Sequence, residues 1–245
     1  MKTFTLYCVP YAGGSAAVYA NWTKDMDQNI LVKQLELPGR GRRFREPLIE
    51  NVPGLVEDLY LQINNSLDGN PYAIFGHSLG SLLAYELSYL IQSRREHRLP
   101  EILFLSGQNP PHRKDSFIVD HELGDIRFLE ELHKLGGMSD DLLNNPELAR
   151  LFVPILRSDI KASNTYHYVE RTKMNTPISI LFGKEDPLCD HYSEWRNCTD
   201  RKCEYTAFDG GHFFIHEKKE EVTSLVNRTI LKIMRAEENK NELIY

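Results

Sequence analysis

Short apolar runs alternate with longer segments of helical spacing along most of the chain. The runs are FTLYCV at 4–9, ILVKQLEL at 30–37, YAIFGH at 72–77, EILFLSG at 101–107, ISILFG at 178–183 and CEYTAF at 203–208. Most of them lack the strict alternation of apolar and polar residues that a strand with one solvent-exposed face shows. Continuous apolar runs are typical of parallel strands that are covered on both faces. The order therefore predicts an α/β fold, with a mostly parallel sheet covered by helices on both faces.

The interval from about residue 108 to residue 168 contains no strand pattern. It holds two helix-like stretches, DIRFLEELHKLGG at 125–137 and PELARLFVPILRSDIKASNTY at 146–166. A loop of this length without secondary structure is uncommon in a compact domain, so we predict a single domain over residues 1–245 with a helical insertion at 108–168. The insertion would be either a lid over a site or an extra packing layer.

The charge balance limits the partners that the chain can have. It has 35 acidic and 29 basic residues, hence a formal net charge of −6, whereas general affinity for nucleic acid or an anionic membrane needs a cationic surface. No apolar run reaches the length of a membrane span, and the first one meets a Pro and a Gly pair too early for a signal peptide. The four cysteines lack the spacing of a zinc site, so no metal is expected. We expect a cytoplasmic protein that is monomeric by default.

The sequence FGHSLG at 75–80 places Ser78 between Gly76 and Gly80. This G-x-S-x-G pattern arises by chance often enough to decide little alone. Its context is more specific, because an apolar strand precedes it and an apolar helix pattern, LGSLLAYELSYLIQ, follows it. A sharp strand-to-helix turn needs small residues on both sides of the serine, and it would display Ser78 as a nucleophile.

A serine hydroxyl is a weak nucleophile unless a histidine removes its proton, and that histidine needs a carboxylate to orient it. On a sheet of this kind the carboxylate and then the histidine follow the serine in the chain, each after a strand. KEDP follows the fifth apolar run and DGGH follows the sixth. We therefore assign Asp186 as the orienting carboxylate and His212 as the base.

Three other carboxylates and two other histidines lie close in sequence to the assigned residues: Glu185, Asp190, Asp209, His77 and His216. Adjacent side chains on a strand point to opposite faces, so His77, next to the serine, is expected to be packed or to face the substrate. His216 lies where the last helix pattern begins and is expected to point elsewhere.

An oxyanion formed at the serine needs two backbone N–H donors. Leu79, directly after the serine, supplies the first, and Ala12 in the early loop PYAGGS is assigned as the second. The glycines of that loop could instead cradle the phosphate of a nucleotide. That alternative is weak, because both the G-x-G-x-x-G spacing and the P-loop lysine pattern are absent.

Together these motifs resemble the type II thioesterases that accompany nonribosomal peptide and polyketide synthases, within the α/β-hydrolase superfamily. The matching pieces run in family order over nearly the whole chain: YCVPYAGGSA, ELPGRGRRFREPL, FGHSLGSLLAYEL, LHKLGGM, PILRSDI, FGKEDP and FDGGHFFI. The resemblance implies an α/β-hydrolase fold with a helical lid. It also maps Ser78, Asp186 and His212 onto the family's catalytic triad, with Ala12 and Leu79 as the oxyanion donors.

The function implied by the resemblance is hydrolysis of acyl thioesters on the phosphopantetheine arm of carrier proteins. This editing would clear mis-primed or stalled synthases, and it needs no cofactor. Two other activities fit the same residues, namely an esterase for small oxygen esters and a medium-chain acyl thioesterase of fatty acid synthesis. A non-catalytic binding protein of the same fold is a further alternative, and it would require a broken triad or a blocked turn.

The segment RGRRFR at 40–45 concentrates four arginines in an acidic protein. Arg40, Arg42 and Arg43 could contact the phosphate of the arm or an acidic carrier surface, because a guanidinium pairs well with phosphate. They could equally form internal salt bridges in a solvated loop. The sequence leaves both interpretations open.

Overall fold

Six parallel strands form the centre of the structure, a computed structural model that describes residues 3–64, 66–67, 69–113, 119–136 and 140–242. They are β1 (Phe4–Val9), β2 (Ile30–Gln34), β3 (Tyr72–His77), β4 (Ile102–Ser106), β5 (Ile178–Gly183) and β6 (Cys203–Phe208). Their order across the sheet is β2-β1-β3-β4-β5-β6, and every neighbouring pair is parallel. The α/β fold predicted from the apolar runs is confirmed. The second strand ends at Gln34, earlier than expected from its sequence run.

Eight α-helices accompany the sheet within the described residues. They are α1 (Trp22–Asp25), α2 (Val52–Asn64), α3 (Leu79–Arg94), α4 (Asp125–His133), α5 (Asp140–Asn144), α6 (Pro146–Asn164), α7 (Phe214–Glu217) and α8 (Lys219–Glu242). Short 3-10 turns occur at Ala16–Tyr19, Gly41–Arg43, Pro187–Cys189 and Tyr192–Cys198.

Alternate residues of the central strand β4 enter two different cores. Leu103 and Leu105 belong to the core that contains α2 and α3, whereas Ile102 and Phe104 belong to the core that contains α1, α7 and α8. Both faces of the strand are therefore buried, which explains why its sequence is continuously apolar.

Three helices, α4, α5 and α6, lie between β4 and β5. They have a small core of their own, to which α4 contributes Phe128 and Leu132 and α6 contributes Val153 and Leu156. Helix α6 begins after Asn145, whose side chain accepts the first backbone N–H groups of the helix. Helix α5 lies between the two helices predicted from the sequence, in a stretch for which the sequence predicted no helix. Residues 114–118 and 137–139 of the expected insertion lie outside the described residues, as do 1–2, 65, 68 and 243–245 of the expected domain.

None of the helices in the described ranges is long and apolar enough to cross a membrane. No disulfide joins the four cysteines. Across residues 3–242, apart from the gaps given above, no three His, Cys, Asp or Glu side chains cluster so that they could hold a metal ion.

Candidate active site

Ser78 occupies the sharp turn between the end of β3 and the beginning of α3. Its backbone has φ 53° and ψ −124°, a strained conformation for a residue with a side chain. A Cβ atom on Gly76 would lie 2.0 Å from the carbonyl oxygen of Gly80, and one on Gly80 would lie 2.4 Å from that of Val9. Both glycines are therefore needed for the backbone to pack this closely around the serine.

Replacing Gly80 by alanine is expected to destabilise the fold, because the added methyl group would meet the backbone of Val9 and Pro10. Overpacking of this kind costs about 3 kcal/mol, which corresponds to a fall in Tm of roughly 6 °C or more for a chain of this size. Thermal unfolding followed by circular dichroism measures it. Gly124→Ala is the control, because a Cβ atom there meets nothing within 4 Å, and an equal Tm for both variants would contradict the steric argument.

A buried serine on the first turn of α3, Ser81, supports the turn from inside. Its Oγ lies 2.8 Å from the carbonyl oxygen of Gly76 and 2.7 Å from that of Ser106, and it accepts the N–H of Ser106 at 2.7 Å. Ser78 N–H also donates to the Ser106 carbonyl, at 2.8 Å. Sequence reasoning missed this role, and the available signal was a small polar residue within an apolar helix face.

Asp186 and His212 meet at the carboxyl edge of the sheet, where the loops after β5 and β6 are tied together. Glu185 N–H donates to the carbonyl of Gly210 at 3.1 Å. A Cβ atom on Gly183 would lie 2.4 Å from the carbonyl oxygen of Gly211, so the glycine at the end of β5 lets the two loops touch. As a result, His212 Nδ1 lies 2.9 Å from Asp186 Oδ2, and both side chains are buried.

The surroundings of Asp186 favour its ionised form. Burial alone would raise the pKa of this carboxyl, but hydrogen bonds from His212, Leu188 N–H and Cys189 outweigh it and hold the pKa below the ordinary aspartate value. A carboxylate can only accept hydrogen bonds, so His212 Nδ1 must carry a proton. The other ring nitrogen, Nε2, is then left as an acceptor when the imidazole is neutral.

The competing residues are placed differently. His77 is completely buried, with its Nδ1 2.9 Å from Ser106 Oγ and its ring centroid 4.9 Å from that of His212. Burial lowers the pKa of His77 well below the ordinary histidine value, so it is neutral. Asp209 forms an exposed ion pair with Lys184 at 2.6 Å.

His216 contacts Tyr11, a residue of the site, without itself lining the cavity that holds Ser78. Its Nε2 lies 3.0 Å from the hydroxyl of Tyr11, and Tyr11 packs edge-to-face on Phe213, the residue after His212. Both aromatic residues line the cavity described below. Sequence reasoning missed them, although Tyr11 adjoins the assigned Ala12.

Ser78 and His212 line one cavity of about 380 Å³. Its remaining wall is mainly apolar and comes largely from the inserted helices: Leu132, Leu142, Leu148, Phe152, Leu156 and Ile160. Within the described part of the chain, no charged side chain lines this cavity. Such a chamber suits an uncharged acyl group and disfavours a charged one, because a buried charge without a partner is costly.

Of the two residues assigned as oxyanion donors, Leu79 directly follows Ser78 in the chain, and Ala12 lines the same cavity as Ser78. Leu79 is the first residue of α3. Among the hydrogen bonds of the described residues, none is donated by the N–H of Ala12 or of Leu79. Both groups are therefore available to a ligand, and the N-terminus of α3 adds a favourable dipole for negative charge.

The three arginines assigned to carrier contact fall into different environments. Arg40 is only 3 % exposed and forms a two-pronged ion pair with Asp159. This corrects its assignment, because a guanidinium buried and paired in this way cannot meet a phosphate on another protein. Arg43 pairs with Glu46 and Asp58, which matches the internal salt-bridge interpretation. Arg42 is exposed, and its only hydrogen-bond partner within the described part of the chain is the carbonyl of Gln34, at 3.4 Å.

The parallel sheet, with a serine on the strained turn after its third strand, defines an α/β-hydrolase fold. Residues 4–230 match the thioesterase domain family, and the chain belongs to that family. It is 33% identical over 228 residues to thioesterase PikA5 of Streptomyces venezuelae, a match that covers 92% of this chain and 80% of that protein.

Two solved structures extend the comparison. The crystal structure of ClbQ from the colibactin NRPS/PKS pathway superposes with a TM-score of 0.90 at 38% identity, covering 96% of this chain and 100% of that one. The type II thioesterase BorB from the borrelidin biosynthetic cluster gives a TM-score of 0.83 at 30% identity, covering 92% of each chain. The resemblance to type II thioesterases drawn from the sequence motifs is confirmed.

Proposed function

We propose that this chain is a serine thioesterase that hydrolyses acyl thioesters from the phosphopantetheine arm of carrier proteins, and so clears mis-primed or stalled peptide and polyketide synthases. One observation carries the proposal. Ser78 and the Asp186-bonded His212 face the same apolar cavity. The family and the relatives that work beside such synthases support the same conclusion.

In the first half of the proposed reaction, Ser78 Oγ attacks the thioester carbonyl while its proton passes to Nε2 of His212. The negative charge that develops on the carbonyl oxygen is stabilised by the N–H groups of Ala12 and Leu79. The carbon–sulfur bond then breaks, and His212 gives its proton to the departing sulfur. The thiol arm leaves, and the acyl group remains on Ser78 as an ester.

In the second half, a water molecule loses a proton to His212 and its oxygen attacks the acyl carbon. The bond to Ser78 breaks, and the proton on His212 returns to the serine oxygen. The carboxylic acid is released and the enzyme is regenerated. Asp186 stays ionised throughout and stabilises the imidazolium form of His212.

The inserted helices act as a lid in this proposal. Phe152 of α6 lines the cavity and is also 40% exposed, so it lies at an opening between the chamber and solvent. The exposed Ile126 of α4 and Leu151 of α6 lie on the same insertion. Movement of these helices would admit the acyl arm and then exclude water from the reacting ester.

The decisive experiment compares one set of acyl groups on three carriers: a phosphopantetheinylated carrier protein, free coenzyme A and simple aryl oxygen esters. The proposal predicts the highest kcat/KM for uncharged acyl groups on carrier protein. Faster turnover of aryl esters would favour the esterase. A preference for medium-length chains on the carrier protein of fatty acid synthesis over short acyl groups on synthase carriers would favour the medium-chain thioesterase.

The exposed part of the arginine loop is the proposed docking surface for the carrier. Arg42, Phe44 and Arg45 are exposed, and neither arginine has an acidic partner among the described residues. The loop reaches the wall of the cavity, because Arg40 within it donates to the carbonyl of Gly14, a cavity-lining residue. A cationic patch here would attract the acidic surface of a carrier and speed its association.

The double variant Arg42→Glu with Arg45→Glu is expected to raise KM for an acyl-carrier substrate by about 3- to 10-fold at low salt, since charge steering mainly affects association. The effect should shrink as salt is added, and hydrolysis of acyl-pantetheine should not change. Lys202→Glu with Lys232→Glu is the control, because it makes the same change in charge just before β6 and on α8. An unchanged KM at low salt would rule out docking at this loop.

A further inference from the structure

A buried carboxylate in the inserted helix α6, Asp159, takes no part in the proposed reaction. Its side chain is completely buried, and the Arg40 side chain that pairs with it is nearly so. Arg40 Nη2 lies 2.7 Å from Asp159 Oδ1, and Nη1 donates to Oδ2. The pair joins residues from the loop after β2 and from the insertion.

The same carboxylate also reaches the loop that follows β1. Asp159 Oδ2 accepts the backbone N–H of Gly13 at 2.7 Å. One turn earlier on α6, Leu156 packs on the same glycine, where a Cβ atom would lie 2.4 Å from Leu156 Cδ2. Gly13 has φ +75°, so the loop turns sharply at this point of contact. Helix α6 therefore holds the loop by packing and by a charge-assisted hydrogen bond.

These contacts determine the direction of the Ala12 N–H group. In a trans peptide the C=O and the N–H point in opposite directions. The carbonyl of Tyr11 accepts Gly14 N–H at 2.9 Å, which turns the N–H of the Tyr11–Ala12 peptide the other way. The following peptide is held through its own N–H by Asp159. Both peptides that flank Ala12 are thus fixed, and its N–H stays directed away from these internal acceptors.

We propose that Asp159 is a positioning residue for the oxyanion hole, with Arg40 as the counterion that holds its carboxylate in one plane. The inference rests on the proposed function, because it assumes that Ala12 N–H stabilises the oxyanion formed at Ser78. It gives a role to two motifs that the reaction leaves unused, the first arginine of RGRRFR and the aspartate of PILRSDI. It also places part of the catalytic geometry under the control of the insertion.

The test uses two double variants that differ only in whether residue 159 can accept the Gly13 N–H. Asp159→Asn with Arg40→Met keeps an acceptor oxygen and removes both charges. Asp159→Leu with Arg40→Met removes both charges and the acceptor, with a side chain of similar size. Replacing a buried ion pair by apolar groups is often tolerated by the fold, and thermal unfolding checks that both variants are folded.

The leucine variant is expected to lose about 10- to 100-fold in kcat with KM within about 3-fold of the wild type, since one oxyanion donor is worth roughly 100-fold or more and here it is displaced rather than removed. The asparagine variant should stay within about 5-fold of the wild type in both constants. A purely structural role for the buried pair would affect the two variants alike.

A second readout isolates the tetrahedral state. An alkyl boronic acid, which forms a tetrahedral adduct with an active-site serine, should bind the leucine variant more weakly by the factor lost in kcat/KM. A thioether analogue of acyl-pantetheine, which mimics only the ground state, should bind all three proteins equally. Should the leucine variant fail to accumulate, Asp159→Ala with Arg40→Met makes the same comparison.

Equal kcat and equal boronate affinity in the two folded double variants would overturn the role of Asp159. Failure of the proposed function has a different signature: the wild type would hydrolyse no acyl thioester, or Ser78→Ala would remain active. The two results are therefore distinguishable in the same set of measurements.

Discussion

Ser78→Ala is expected to lower kcat for acyl-thioester hydrolysis by on the order of 10⁵- to 10⁶-fold, as loss of the nucleophile does in other serine hydrolases. The reason is that no acyl-enzyme can form without the hydroxyl, while the cavity and the oxyanion donors are unchanged. Release of the free thiol, followed with a chromogenic disulfide, measures the rate. Intact-protein mass spectrometry should show an acyl adduct on the wild type and none on the variant.

Ser15→Ala is the matched control, because Ser15 lines the same cavity and the chemical change is identical. Among the residues that the structure describes, its Oγ forms one hydrogen bond, in which it accepts the N–H of Ala17 at the beginning of a short 3-10 turn, at 3.3 Å. The control should keep activity within a few-fold of the wild type. A folded Ser78→Ala protein with activity within tenfold of the wild type would contradict the assignment of the nucleophile and favour a different chemistry in the cavity.

The sheet was predictable because its signals are local. Each buried parallel strand is a short apolar run, and the sequence pattern of β3 or β5 needs no knowledge of the rest of the chain. The turn at Ser78 was predictable for a related reason. Only glycine fits where an added Cβ atom would lie 2.0 to 2.4 Å from a backbone oxygen, so the steric demand is visible in the sequence as Gly76 and Gly80.

The meeting of Asp186 and His212 could be anticipated from topology. Both follow strands, and parallel strands present their carboxyl ends at one edge of the sheet, so loops after neighbouring strands lie side by side. The structure places β5 next to β6 and brings the two side chains to 2.9 Å. The catalytic roles of the two residues remain predictions, which substitutions at positions 78 and 186 test.

The burial of Arg40 and its ion pair could not be anticipated from the sequence, because its partner is distant in the chain. Arg40 lies in a segment that looks solvated, and Asp159 is 119 positions away in a different element. Local composition carries no information on such a pairing. The support of the turn by Ser81 was hidden for the same reason, since it depends on how the end of β4 packs against α3.

Asp186→Asn is expected to lower kcat by roughly 10⁴-fold, as the equivalent change does in a serine protease. The amide can donate a hydrogen bond as well as accept one, so His212 can turn its lone pair toward residue 186 and its N–H toward Ser78. In that tautomer the imidazole cannot take the serine proton. Rates of thiol release over a range of pH measure the loss, and the fold is checked by thermal unfolding.

Asp209→Asn is the matched control, since Asp209 lies three residues before His212 and forms an exposed ion pair with Lys184. Loss of an exposed ion pair costs little, so both stability and kcat should stay close to the wild type. If Asp209→Asn abolished turnover while Asp186→Asn did not, the carboxylate that orients His212 would be Asp209 and not Asp186. The 2.9 Å contact between His212 Nδ1 and Asp186 Oδ2 predicts the opposite, because this carboxylate accepts the Nδ1 proton and would fix the histidine tautomer proposed to deprotonate Ser78.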